Sequence, residues 1–239
     1  MKYTLGIIVF ASFLSALEGQ DPAPIVLNAP NRERGLPVMK ALDVRASVRE
    51  WSDEKLSLQD LSDLLWAANG INRPSEGKRT APSAQNAQDI SIYVFMEEGV
   101  YLYDAVKSLL VPVAAGDHRD LAGKTDAPVT LVLVTDISRF RGPGGRPPAT
   151  PPPPGAPPAG GPPAGQPPMS PSSADSLKLG WGNMDAGIVS QNISLFCAAT
   201  GLKTRPRAGF PGATAMRKLL NLTDKQYILL NHPVGYPKK

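Results

Sequence analysis

The chain has one cysteine, Cys197, and two histidines, His118 and His232, among 239 residues. A single thiol closes no intramolecular disulfide and builds no cysteine-ligated zinc site, and two imidazoles leave little for a histidine metal centre, so no metal is expected. Charged residues are only 19%, and 25 Lys+Arg against 21 Asp+Glu leave a formal charge of +4 with no basic stripe, which argues against a nucleic-acid partner. The longest N-terminal apolar run is too short to span a bilayer. No Gly-x-Gly-x-x-Gly turn follows an expected strand, which argues against a dinucleotide-binding unit. Ser83 lacks the Gly-x-Ser-x-Gly setting of a hydrolase nucleophile. The 42% hydrophobic content is nonetheless enough for a sizeable core. Any chemistry therefore falls to a bound organic cofactor or to none.

Two segments stand apart by composition. Lys2, the apolar run Leu5 to Leu14 and the small or polar Ser15, Ala16, Glu18, Gly19 and Gln20 follow the order of a secretory signal peptide, residues 1–20. An exported protein, periplasmic or secreted and without stable membrane insertion, is the expectation. Residues 141–171 hold 14 Pro and 7 Gly, which deny the backbone its donors and leave nothing large to bury. The expectation is a flexible Pro/Gly-rich insertion that interrupts one domain spanning 37–239.

Between these segments the pattern reads as α+β. Ser57 and Asp60 start a helix whose Leu58, Leu61, Leu64, Leu65 and Ala68 recur at helical spacing up to Asn69-Gly70. Residues 89–96 and 100–103 read as a hairpin turning at Glu98-Gly99. Residues 129–134 are almost wholly apolar and β-branched, as in a strand buried on both faces. Residues 177–200 form a long helix with Met184, Ile188, Leu195, Phe196 and Ala199 on its apolar side, the small Ala186, Gly187, Ser190 and Ser194 nearby, and Gly201 at its end. A short helix at 213–221 and a strand at 226–230 complete the set. Cys197 reads as a core residue, and His232 is expected just past the last strand.

Three polar clusters are not required by such a core. In Arg45-Ala46-Ser47-Val48-Arg49 an extended backbone sends two guanidinium groups and a hydroxyl to one side, an arrangement suited to a phosphomonoester. Residues 80–88, with Pro82, Ser83, Asn86 and three more amide or hydroxyl side chains, precede a strand and can read the edge of a heterocycle. The third runs from Gly201-Leu202 to Gly209-Phe210.

The order and spacing of these clusters resemble the FMN-dependent nitroreductase family, and within it the branch of flavin dehydrogenases that oxidise azoline rings. Further matching stretches are Glu50-Trp51-Ser52, Ala127-Pro128, Trp181-Gly182, Met184-Asp-Ala-Gly187, Gln191-Asn192 and Pro233-Val-Gly-Tyr-Pro237. The resemblance implies a nitroreductase-like fold, a central mostly antiparallel sheet flanked by helices, in a homodimer with FMN at the subunit interface. It assigns Arg45, Ala46, Ser47 and Arg49 to the phosphate and ribityl side, and Pro82, Ser83 and Asn86 to isoalloxazine contacts from the partner subunit. The backbone of Ala208 and Gly209 would face the flavin N5, and Lys238 would approximate the family's basic tail. Arg49, Arg205 and Arg207 are equal candidates for stabilising the reduced flavin. No catalytic side chain is singled out. The implied activity passes electrons between a donor such as NAD(P)H and an organic acceptor of nitro, quinone or azoline type in a ping-pong cycle. The alternatives are a catalytically silent flavin-binding or scaffold module, or an interaction protein acting through its Pro-rich segment.

Overall fold

A computed structural model describes residues 22–123, 126–141 and 171–238. The expected signal peptide and nearly all of the Pro/Gly-rich insertion lie outside these residues.

The chain enters through a two-residue strand β1 (Ile25–Val26) and a short helix α1 (Val38–Val44). Helix α2 (Leu58–Asn69) starts where its cap demands: the Ser57 hydroxyl accepts the Asp60 amide, and Asp60 lies in the first turn. Its Leu61, Leu64, Leu65 and Ala68 are buried. Gly70 follows it in extended conformation, φ −75° and ψ 173°, where a Cβ would lie 2.5 Å from the Trp66 ring. After a small ribbon, β2 (Ile71–Arg73) with β3 (Lys78–Arg79), come the hairpin strands β4 (Ile90–Phe95) and β5 (Gly99–Asp104). The remaining elements are β6 (Leu109–Ala115), β7 (Val129–Asp136), α3 (Pro171–Thr200), β8 (Lys203–Thr204), α4 (Ala213–Leu219) and β9 (Gln226–Gly235).

Seven strands form one sheet in the order β1-β6-β5-β4-β7-β9-β8. Every paired neighbour is antiparallel. The apolar β7 sits inside it, between β4 and β9, buried from Val129 to Thr135. Alternation along the strands divides the core in two. Ile92, Val94, Leu131 and Leu133 pack against α2 and α3. Tyr93, Phe95, Val132 and Val134 pack against Met216 of α4 and Leu220. Burying each such Leu, Ile or Phe side chain stabilises the fold by about 1.5–3 kcal/mol.

Besides the short β1, α1, β2, β3 and β8, which the sequence reading does not include, three differences matter. Strand β6 was not anticipated: Pro112 lies within it, opposite Tyr101. It is tolerated because β1 covers only Leu109 and Leu110, so no ladder lies beyond Pro112 to miss its amide. Strand β9 runs on to Gly235, past Pro233, and His232 therefore lies inside the strand rather than after it. The third correction concerns α3. Met184 and Ile188 are 59% and 36% exposed, whereas Asp185, Ala186, Val189, Ser190, Ile193, Ser194 and Cys197 face the sheet and α2. The small residues Ala186, Ser190 and Ser194 thus serve the chain's own close packing. The clearest case is Gly182, where a Cβ would fall 2.4 Å from the Thr135 hydroxyl oxygen.

Candidate functional site

The Arg45 cluster leaves α1 in extended conformation, with Arg45 at φ −62° and ψ 125°. Ser47 forms a parallel bridge with Thr204, and the Val48 amide donates to the Thr204 carbonyl at 3.0 Å. Two further bonds fix the segment to the sheet end: Trp51 Nε1 donates to the Lys203 carbonyl at 2.9 Å, and the Ser52 amide to the Tyr236 carbonyl at 3.0 Å. Arg45, Ser47 and Arg49 are exposed. Neither guanidinium has a carboxylate partner among the described residues. Lys238 lies further along the same edge, in a groove with Trp51, Ser52, Asp53, Glu54 and Asp126.

The bridge brings the first and third clusters together, since Thr204 leads directly into residues 205–210. Arg205 buries its Nε without a hydrogen-bond partner. Arg207 is occupied: Nε donates to Asn231 Oδ1 at 2.8 Å, and a terminal nitrogen donates to the Ala122 carbonyl at 3.0 Å. Burial, followed by the neighbouring Arg205 charge, pushes the Arg207 guanidinium below its ordinary range. The geometry therefore leaves Arg49 and Arg205, of the three candidates, free to meet an anion. Ala208 and Gly209 are exposed, held from behind by Asn231 Nδ2, which donates to the Gly209 carbonyl at 3.4 Å.

Beneath this junction His232 is buried between α3 and β8. The Thr204 hydroxyl donates to the Pro233 carbonyl at 2.9 Å, so its oxygen accepts from His232 Nδ1 at 3.2 Å. Nε2 is left to accept the Ser190 hydroxyl at 2.8 Å. Burial lowers the imidazole to about 3, so this chain of bonds is neutral and steadies Thr204 rather than moving protons. Cys197 is likewise buried, its thiol pushed up by desolvation.

The second cluster lies at the opposite end of the sheet. Gln85, Asn86 and Gln88 have φ of 56°, 54° and 49°, a left-handed backbone that costs non-glycine residues roughly 1 kcal/mol or more each. The surroundings impose it. The Ser83 hydroxyl accepts the Gln88 amide at 2.8 Å, and Arg79 Nε donates to the Gln88 side chain at 2.9 Å. Arg139 donates to the Gln88 carbonyl at 2.8 Å. The Ala84 amide donates to both Asp185 oxygens at 2.9 and 3.1 Å. Pro82 and Asn86 remain exposed. The loop thus holds its left-handed backbone through its surroundings and leaves an amide side chain, that of Asn86, outward.

Within one chain the two ends do not meet. Thr135 bonds Asp89 at the loop, while Val129 pairs with Val234, the residue opposite Thr204. Six steps along β7 separate them by about 20 Å.

The sequence reading named Gly182 and Asp185 only within matching stretches, without a role, and did not single out the buried Asp89 or the His232–Thr204 link. Only an acidic residue at the first position of an apolar strand, Asp89, was a signal available in advance.

The sequence model described as the nitroreductase family matches residues 42–236. A relative from Methanocaldococcus jannaschii with a provisional nitroreductase name is 28% identical over 206 residues, which cover 80% of this chain and 86% of that protein. The crystal structure of a provisionally named nitroreductase from Ralstonia eutropha superposes with a TM-score of 0.72 at 29% identity, covering 93% of this chain and 92% of its own. The microcin synthetase complex McbBCD of E. coli, solved with truncated pro-MccB17 bound, has a chain with a TM-score of 0.57 at 18% identity, covering 99% of this chain and 85% of its own. That last likeness is one of fold alone.

Proposed function

This chain belongs to the nitroreductase family, and from that premise we propose that it is an FMN-dependent oxidoreductase acting as a homodimer. One observation carries the reading: two exposed guanidinium groups and a hydroxyl, Arg45, Arg49 and Ser47, have no carboxylate partner among the described residues, and Ser47 is bridged to Thr204, from which the chain runs on to the exposed Ala208 and Gly209. The donor set fits a terminal phosphate, which Arg reads through paired N–H groups. The orphaned Arg205 Nε adds a further donor near the same junction. Asn86 and the strained loop offer an amide and backbone groups for a heterocycle edge.

When bound, the flavin would supply reversible two-electron chemistry between a donor such as NAD(P)H and an organic acceptor of nitro, quinone or azoline type. The chain's own residues bind and orient it. Arg45, Ser47 and Arg49 hold the phosphate end. Arg205 supplies positive charge to an electron-rich ring, an electrostatic contribution that needs no proton movement. Arg207 and Asn231 keep the 205–210 backbone in place from behind.

The second copy follows from two features. The binding loop lies about 20 Å from the guanidinium cluster of its own chain, a spacing that favours a loop brought by another chain. Exposed apolar side chains are also available for that contact: Val38, Met39, Leu42 and Val44 on α1, with Met184 and Ile188 on α3. Export, read from residues 1–20, belongs to the same proposal and is tested by N-terminal sequencing of the mature protein.

The deciding experiment is mass spectrometry of the heat-released chromophore, with reconstitution by FMN, FAD and riboflavin, followed by bleaching of the flavin bands with NADH and NADPH. FMN recovered in near-stoichiometric amount supports the assignment. Recovery of FAD, or no flavin even after reconstitution, overturns it.

A further inference from the structure

The function proposed above makes no use of two acidic side chains under the 82–88 loop. Asp89 is completely buried and Asp185 is 4% exposed. Both line one cavity of about 10 Å³, beside Asn69, Ser83 and Val189. A space of that size admits at most a single water and no hydrated counter-ion. Asp185 accepts the Ala84 amide with both oxygens. Asp89 Oδ2 accepts the Thr135 hydroxyl at 2.5 Å, and Asp89 Oδ1 is buried with no partner among the described residues.

Among the described residues no cation pairs with these carboxyls. Arg79 of β3 donates to Gln88 and to the Asn69 carbonyl, and Arg139, in the turn after β7, donates to the Gln88 carbonyl. On β5, Tyr103 and Asp104 face Arg79. Asp136, at the end of β7, accepts from Ser138. From α2 only Asn69 approaches, and its amide donates to the Ile90 carbonyl. Two buried carboxyl groups that line one small cavity oppose each other's ionisation, which favours a proton on Asp89.

We infer that Asp89 and Asp185 share one proton that clamps the 82–88 loop to α3, and that the loop is released when the pair gives this proton up. The Ala84 amide is the mechanical link: it donates to Asp185 on α3, and repulsion from an ionised Asp89 drives the loop joined to Asp89 away from that acceptor. Burial first, and then the Asp185 charge, raises Asp89 well above its ordinary carboxylate range, so release falls near neutral pH. The pair positions the loop and touches no ligand itself. The inference rests on the flavin reading only in supposing that a released loop holds the ring less well.

The test uses the full chain without added flavin. Hydrogen exchange at the amides of residues 84–88, corrected for the intrinsic pH dependence of exchange, is followed from pH 5.5 to 8.5 in the wild type and in Asp89→Asn. The wild type is expected to lose protection at least tenfold across that range. Asp89→Asn keeps the Thr135 bond and cannot ionise, so it stays protected throughout. Infrared spectra of the wild type alone give a second measure: a carboxylic-acid carbonyl band at pH 6 that fades by pH 8.5. Protection that is flat with pH in the wild type, a pH response unchanged in Asp89→Asn, or absence of the carbonyl band would each overturn the inference. FMN titration over the same range separates the two readings. Affinity that falls with pH in the wild type and not in Asp89→Asn supports both. Failure to bind FMN at any pH sinks the flavin assignment and leaves the exchange result to decide the acid pair.

Discussion

Replacing Arg45 and Arg49 together by alanine should weaken FMN binding while leaving riboflavin binding unchanged. Both side chains are exposed and have no ion pair among the described residues, so their removal breaks no salt bridge there. Hydrogen bonds to charged groups contribute about 1.5–3 kcal/mol each, and solvent exposure places these two at or below the lower end. The double substitution should then cost about 2–3 kcal/mol, or roughly 30- to 150-fold in Kd at low salt. Screening supplies an internal check. The Debye length shrinks from about 10 Å at 0.1 M salt to about 3 Å at 1 M, so the gap between wild type and variant must narrow as salt rises. Quenching of flavin fluorescence measures both ligands in the same buffer. Riboflavin lacks only the phosphate. If the variant loses riboflavin as badly as FMN, the residues act on something other than the phosphate; if it binds FMN with undiminished affinity, the segment is ordinary solvated surface.

Gly182→Ala should lower the melting temperature by several degrees, since a Cβ at 2.4 Å from the Thr135 hydroxyl forces α3 off β7 at a cost of about 1–3 kcal/mol; an unchanged melt refutes that close approach. Introducing Asp at both Met184 and Ile188 should yield a folded monomer by light scattering, because these side chains are exposed in the single chain; a persistent dimer would move the interface elsewhere. For pH dependence, Asp89, raised from 3.8 to about 7, is protonated folded and ionised unfolded between those values. Its contribution is complete below about pH 4 and is lost as pH rises through 7, at about 1.4 kcal/mol per unit. His232, lowered from 6.5 to about 3, has the opposite sign: its contribution is present above 6.5 and is lost as pH falls toward 3. The two slopes offset between about pH 4 and 6.5, so these groups give the wild type a flat denaturant stability there. Asp89→Asn should uncover the His232 slope, with stability rising with pH, and a flat profile in that variant refutes the pairing of effects.

The sequence revealed those elements whose signal is local. Helix α2 carries its own cap, Ser57 with Asp60, and its own stop at Gly70, so its bounds were readable to a residue. Strand β7 is apolar on both faces because helices cover both sides of the sheet. Where the meaning of a residue depends on what lies across from it, sequence misled. Pro112 and Pro233 lie in strands that the sequence reading omitted or ended early, and tertiary pairing leaves their missing amides harmless or outweighed. The apolar Met184 and Ile188 read as core. Amphipathic spacing does not say which body covers an apolar stripe, and the inward stripe of α3 is instead small and polar to allow its approach to β7. The candidate site shows the same division. Residues 45–49 stood out by their alternation. The carboxyls of Asp89 and Asp185 meet only through the crossing of β4 and α3, and the tautomer of His232 is set by Thr204 and Ser190 on two other elements.

The separation of the two clusters along β7 permits a test of site architecture by mixing. A chain carrying Arg45→Ala and Arg49→Ala keeps its binding loop, and a chain carrying Ser83→Ala and Asn86→Ala keeps its guanidinium cluster. Each homodimer alone should bind FMN weakly, since every site in it lacks one half. In a mixed dimer one site combines both damaged halves, but the other unites the intact loop of the first chain with the intact cluster of the second. Random exchange of equal amounts makes about half of the dimers mixed, so tight FMN binding should return at about one site per four chains. A site built within a single chain gives no such recovery, because no pairing then brings intact halves together. Flavin stoichiometry before and after co-refolding distinguishes the two arrangements, and absence of recovery with exchange demonstrated by native mass spectrometry would rule out a site shared between subunits.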